Sequence, residues 1–138
     1  MSVDTTRKTI NAYIDSLLHG GDFASFFSDD VLWTTMETGE QVRGRDAVRD
    51  YIVALHTQAF TASPEVKRFV AADDVAVLEA VFVGTHVAEF AGVPATGKQV
   101  RLPYAVVYDL SGDTITALNA YFPVNALANQ LRSAAPTG

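Results

Sequence analysis

The sequence predicts an α+β fold: a strongly curved antiparallel sheet with helices packed over its concave face, enclosing a pocket. Three observations carry this prediction. Before Pro64, apolar residues recur at helical spacing on two long segments. After Pro64 the pattern becomes extended and rich in Val, Phe and Tyr. The extended segments are joined by short links, and short links force antiparallel pairing, because parallel strands need a long crossover. Helices followed by antiparallel strands read as α+β.

Residues 4–18 form an amphipathic helix in which Ile10, Tyr13, Ile14, Leu17 and Leu18 share one face. Asp4 stands where an N-cap belongs, and His19 before Gly20–Gly21 marks the end, where a cationic ring suits the helix dipole. Asp22 caps a short second helix with Phe23, Phe26 and Phe27 on its buried side. Val31, Trp33 and Thr35 alternate with Leu32, Thr34 and Met36 as a strand, broken by Thr38–Gly39–Glu40. Residues 42–44 lead into a third helix over 45–60, with Val48, Tyr51, Ile52, Leu55 and Ala59 as its stripe.

Strands are expected over 66–71, 75–90, 99–110 and 114–122. Asp73–Asp74 and Ser111–Gly112–Asp113 are turns, and 92–97 is a loop. Asn125 caps a last helix over 125–131, and 133–138 read as a frayed tail. Long strands twist and curl, and Gly84 makes a mid-strand bend or bulge cheap. The wide end of the resulting cone cannot be filled by backbone, so side chains or a ligand must fill it.

The chain of 138 residues is one domain's worth, spanning 1–138, and long enough for a real core. It is 49% hydrophobic and 19% charged, so apolar residues remain for a pocket wall or a subunit interface. The net charge is −6, from 16 acidic and 10 basic residues, with no cluster of Lys and Arg. Nucleic acid and anionic membrane surfaces are therefore not expected partners. The absence of cysteine excludes disulfides, thiolate metal sites and cysteine nucleophiles. The polar opening MSVDTTRKTINAY lacks the apolar run of a signal peptide, and no segment reaches membrane-spanning length; a cytoplasmic protein is expected.

The stretch from Gly84 to Lys98, GTHVAEFAGVPATGK, resembles the GTHxGxFxGxPxTG segment of the SnoaL-like polyketide cyclase family. Gly44-Arg45-Asp46-Ala47-Val48 is similar to that family's GRxAV helix start. The run from Ile115 to Tyr121-Phe122, with Gln130-Leu131, is similar to its final strand and closing helix. The likeness covers about 22–131. It implies an NTF2-like cone, a homodimer through the sheet and cofactor-free chemistry. In the cyclases an intramolecular aldol addition closes a ring, with a pocket Asp as general acid/base, while other relatives isomerise, hydrolyse or hydroxylate. No residue here matches that Asp. Strand 114–122 offers Asn119 and no carboxylate, and strand 99–108 offers Arg101, Tyr104 and Tyr108 as its ionisable groups. The Asp-Arg-Asp set of the limonene-epoxide-hydrolase relatives is not found either.

His86 is the leading catalytic candidate, on the same strand face as Phe82, Gly84 and Ala88. An imidazole in an apolar cavity titrates near neutrality or below, which suits a general base. The alternative is a buried His that holds the Pro94–Gly97 loop. Asn119 and Tyr121 share a face with Ile115 and Ala117, and both can donate to a developing enolate or alkoxide, unless backbone satisfies them. Glu37, if it points inward beside Trp33 and Thr35, is the remaining carboxylate; otherwise it is a solvated turn residue. Trp33, Phe23, Phe27, Tyr104 and Thr35 are candidates for the substrate wall, or for plain core. His56 sits at the edge of the third helix's stripe, facing the cone or the surface. Arg101 binds an acidic substrate or pairs with Glu89. The three histidines have no carboxylate at ligand spacing, so no metal site is expected.

The expected function is cofactor-independent general acid–base catalysis on a bulky apolar, polyketide-like carbonyl substrate, of the cyclase or isomerase kind. The competing expectation is a small-molecule-binding or protein-interaction domain of the same fold without turnover.

Overall fold

The first helix, α1 (Val3–Leu18), buries Thr6, Thr9, Ile10 and Tyr13, and lays Ile14 and Leu17 against the core. It ends as expected: the His19 ring lies 2.8 Å from the Asp15 carbonyl, and Gly20 takes φ 73° just past the last turn. The computed structural model describes residues 3–132, so the tail expected over 133–138 lies outside the described residues. A short 3₁₀ turn, Phe23–Phe26, follows, but the side chain of Asp22 makes no capping bond to it.

Strand β1 (Phe27–Thr35) pairs antiparallel with β2 (Glu40–Arg43). Helix α2 (Arg45–Val53) does not run on to residue 60 as a regular helix; its last part is a π-helical turn, Ala54–Ala59. Then come β3 (Phe60–Ala62), β4 (Glu65–Ala72), β5 (Val75–His86), β6 (Gln99–Ser111), β7 (Thr114–Tyr121) and α3 (Val124–Arg132). No described helix is long and apolar enough to cross a membrane.

One sheet holds all seven strands in the order β2-β1-β7-β6-β5, with β3 and β4 both along the outer edge of β5. Phe60 pairs with His86, Ala62 with Gly84 and Glu65 with Val81, so β3 and β4 form one line interrupted at Ser63–Pro64. Pro64 has no N–H to give the ladder. The sheet is mixed rather than wholly antiparallel, because β1 runs parallel to β7, with Trp33 opposite Leu118. Those two strands are separated by most of the chain, so the short-link rule never applied to them. The expected strand over 75–90 stops at His86; beyond it Phe90 bridges Val93 around a tight turn with positive φ at Ala91 and Gly92.

Gly84 permits a close approach between strands. A Cβ there would stand 2.9 Å from the Thr61 carbonyl oxygen and 2.9 Å from the Ala62 methyl. Inward-facing residues alternate along β5 (Ala76, Leu78, Ala80, Phe82) and β6 (Leu102, Val106, Tyr108, Leu110), as the pleat requires. On β7 the alternation slips once. Asp109 pairs with Ala117 and Leu110 with Ile115, leaving Thr116 as the extra residue of a bulge. Ile115 is inward before it, and Leu118 and Ala120 are inward after it. The core between sheet and helices is strongly aromatic. Tyr13 meets Tyr108 edge-on at 5.7 Å, and Phe82 meets Phe60 and Phe122 edge-on at 5.2 and 5.3 Å.

Candidate active site

The concave side holds two adjoining spaces. An inner chamber of about 40 Å³ lies against β5, β6 and β7, with Trp33, Phe82 and Phe122 closing around it. An outer cleft of about 390 Å³ opens between the end of α1, α2 and Ser63–Pro64. Leu17, Ile52 and His56 line both spaces. The cone is therefore open but narrow within, since its own aromatic side chains take up most of the interior.

His56 is the titratable group at this junction. It stands on the π-helical turn, where its Nδ1 lies 2.9 Å from the Ile52 carbonyl and the neighbouring Thr57 hydroxyl donates to the Val53 carbonyl at 2.8 Å. A carbonyl can only accept, so Nδ1 carries the proton and Nε2 presents its lone pair. Nε2 is buried and has no hydrogen-bond partner. Burial lowers the pKa of this ring below its usual 6.5, against the smaller opposing pull of the Ile52 carbonyl. The imidazole is thus neutral at pH 7, with a basic nitrogen aimed away from its own backbone. Phe82 supports the ring edge-on at 5.8 Å.

Three tyrosines line the inner chamber: Tyr13 from α1, and Tyr104 and Tyr108 from β6. Burial pushes Tyr104 up to about 12, and raises Tyr13 and Tyr108 well above their ordinary value too. Tyr13 and Tyr104 each further oppose ionisation of Tyr108. All three stay protonated across the physiological range and keep an O–H to donate. Trp33 also lines the chamber, but its indole N–H is taken by the Thr35 hydroxyl at 2.9 Å.

The cleft lining carries two charged side chains, Asp22 and Arg49. Its cationic side chain, Arg49, is bound to Asp50 at 3.0 Å and to Asp46 at 3.3 Å. No cation among the described lining residues is left for a carboxylate or phosphate. Nor do the described residues contain a cluster of His, Asp and Glu able to hold a metal ion.

The residues singled out from the sequence fall into two groups. Trp33, Tyr104 and His56 line the chamber, and Phe23 lines the cleft. Phe27 is core, packed against Tyr13 and Phe23, and Thr35 is buried as the acceptor for Trp33. The others stand elsewhere. His86 does face inward beside Phe82 and Gly84, but it is fully buried and lines neither space. Its Nδ1 accepts from the Thr96 N–H at 3.2 Å and lies 3.0 Å from the Thr96 hydroxyl, while its backbone bonds Gly97 and Lys98. This is the loop-holding role.

Asn119 and Tyr121 are a correction. The bulge at Thr116 puts them on the opposite face from Ile115, toward the convex side, and Tyr121 is 51% exposed. Glu37 accepts the Asn125 N–H at 2.9 Å and so caps α3, a role the sequence reading gave to Asn125. Arg101 is exposed and forms a two-pronged pair with Glu65, not with Glu89. Sequence reasoning missed Tyr13 and Tyr108 as chamber residues. The signal for Tyr108 was present, since it shares parity with Tyr104 and Val106 on β6.

Solved structures with the same fold support this geometry at the level of architecture. A candidate SnoaL-like polyketide cyclase from Jannaschia sp. CCS1 superposes with a TM-score of 0.81 at 17% identity, covering 96% of this chain and 94% of its own. AclR, a candidate hydroxylase from Streptomyces galilaeus, gives 0.79 at 17% identity, covering 96% and 98%. A candidate ketosteroid isomerase from Kribbella flavida DSM 17836 gives 0.68 at 19% identity, covering 87% and 78%. The common architecture is the NTF2-like α+β cone. Curated protein sequences give no match. The SnoaL-like domain model, by contrast, matches residues 10–118, most of the chain, and the protein accordingly belongs to the SnoaL-like family.

Proposed function

We propose that the protein is a cofactor-independent acid–base enzyme of the cyclase or isomerase kind, acting on a neutral, apolar carbonyl compound. The observation that carries this is the buried, unpartnered Nε2 of His56, a residue that lines the inner chamber together with three protonated tyrosines. Nε2 takes a proton from the carbon beside the substrate carbonyl. The electron pair moves onto the carbonyl oxygen, which a tyrosine O–H stabilises. The imidazolium then returns the proton, to another carbon in an isomerisation or to the new alkoxide after an aldol addition.

The apolar wall and the occupied Arg49 favour an uncharged substrate, and a polyketide-like ketone satisfies both. His56 takes the place of the pocket Asp of the family's cyclases. His86, Asn119, Tyr121 and Glu37 are not part of this reading, because none of them lines the chamber. The working form is a homodimer through the convex sheet face, where Val70 is 60% exposed and Val77 and Tyr121 are also exposed.

The test is exchange of the α-protons of benzyl methyl ketone for deuterium, followed by proton NMR. Saturable exchange with the wild-type protein, lost in His56→Gln, supports the reading. Saturable binding without exchange overturns it in favour of a module that only sequesters its ligand.

A further inference from the structure

The two spaces on the concave side share part of their lining but differ greatly in size. The outer cleft has about 390 Å³, the inner chamber about 40 Å³. A water-sized group needs roughly 10–15 Å³ of such space. The chamber of about 40 Å³ thus admits roughly three or four heavy atoms, and the cleft a molecule of ordinary ligand size. The residues common to both linings are Leu17 near the end of α1, Ile52 on α2 and His56 on the π-helical turn. Ile52 is 2% exposed and fixed in the core, while Leu17 is only partly buried.

We infer that Leu17, Ile52 and the His56 ring, which line both spaces, form a throat that selects substrates by the width of the group carrying the carbonyl. Only a slender head passes into the tyrosine-lined chamber, and the body of the substrate stays in the cleft. The substrate class is a neutral ketone or aldehyde whose carbonyl carries hydrogen or methyl on its far side. A branched group there cannot pass. The inference rests on the proposed function for the identity of the chamber as the oxygen site, but the throat acts on binding and needs no turnover.

The consequence is specific to two side chains. Leu17→Ala removes three carbons from the throat where the helix end leaves room. Ile52→Val removes one from its fixed side. Neither change touches His56 or the tyrosines.

The experiment measures binding of benzyl methyl ketone and benzyl tert-butyl ketone by chemical-shift perturbation of the ¹⁵N-labelled full chain, with circular dichroism to confirm folding. In the wild type the methyl ketone should bind about tenfold more tightly or better, the scale set by misfit of a few carbons in an apolar pocket. Leu17→Ala should gain affinity for the tert-butyl ketone by about tenfold while changing the methyl ketone little, and Ile52→Val should move the ratio the same way by less. Equal wild-type affinities, or an unchanged ratio in folded Leu17→Ala and Ile52→Val, would overturn the throat. Size-selective binding with no α-proton exchange would overturn the catalytic reading and leave the throat standing. Exchange without size selectivity would do the reverse.

Discussion

His56 and His86 are both inward histidines with an unpartnered Nε2, yet their surroundings give them opposite chemistry. The Nδ1 of His56 meets a backbone carbonyl, which fixes its proton there and leaves Nε2 as a bare base. The Nδ1 of His86 meets the Thr96 N–H, which fixes that nitrogen as an acceptor and puts the neutral ring's proton on Nε2. One ring opens onto two adjoining spaces; the other lies against Phe60 at 5.2 Å with no exposure at all. Burial alone therefore does not mark a catalytic histidine. The neighbour of the other nitrogen, and space for a substrate, decide.

The largest expected effect breaks this comparison open. His56→Gln should cut α-proton exchange by about 10²–10⁴, the usual range for losing a positioned base, and should leave the fold intact. His86→Ala should do the opposite. It removes the ring from its contact with Phe60 and frees the Thr96 loop, costing about 3 kcal/mol. For a chain of this size that lowers Tm by about 10 °C, while exchange at low temperature persists. Thermal unfolding and NMR exchange on both variants check the pair. A His86→Ala protein that keeps its Tm and loses exchange would reverse the assignment.

Tyr104→Phe comes next. The hydroxyl lost is one that burial holds protonated, with a pKa of about 12, so the substitution removes a donor rather than a charge. A single lost donor to a developing oxyanion costs about 10² in rate. The expected signature is a fall in the exchange rate at saturating ketone with the acid limb of the pH profile unmoved.

That acid limb is the third prediction. Desolvation depresses the His56 pKa below 6.5, so the base form persists below 6.5, and exchange should rise with pH through a midpoint under that value. The stability sign follows from proton counting. The unfolded chain takes up the proton first as pH falls, so this group's contribution is complete above 6.5. It declines as pH drops toward the folded pKa, and does not change further below it. In urea titrations the stability of wild type relative to His56→Gln should rise with pH through this window and stay constant above 6.5. A midpoint above 6.5 would mean that an anion, not an apolar wall, faces the ring.

Much of the fold was legible because alternation survives wherever the pleat is regular. Phe82, Gly84 and His86 were placed on one inward face, and the structure keeps them there. The sites were harder to read because irregularities decide them. One unpaired residue, Thr116, sends Asn119 and Tyr121 to the other side of the sheet, and a two-for-one count leaves no trace in a period of two. The π-helical turn likewise shifts His56 relative to a regular helical face. Glu37 is committed to the N–H of Asn125, 88 residues away, a contact no local pattern announces. Whether His86 lines a cavity depends on Phe60 and Thr96 sealing it, which is a fact of packing rather than of spacing.

Arg101→Met should have the smallest effect, and for that reason it sharpens the line between the two faces. The guanidinium pairs with both oxygens of Glu65, at 3.1 and 3.0 Å, yet both side chains are about half exposed. Water screens such a pair, and an exposed pair adds little to stability. Arg101 lines neither the cleft nor the chamber, so exchange of benzyl methyl ketone should be unchanged and the denaturation midpoint barely moved. A large loss of exchange in a folded Arg101→Met protein would place the chemistry on the convex side, where neither histidine of the comparison reaches.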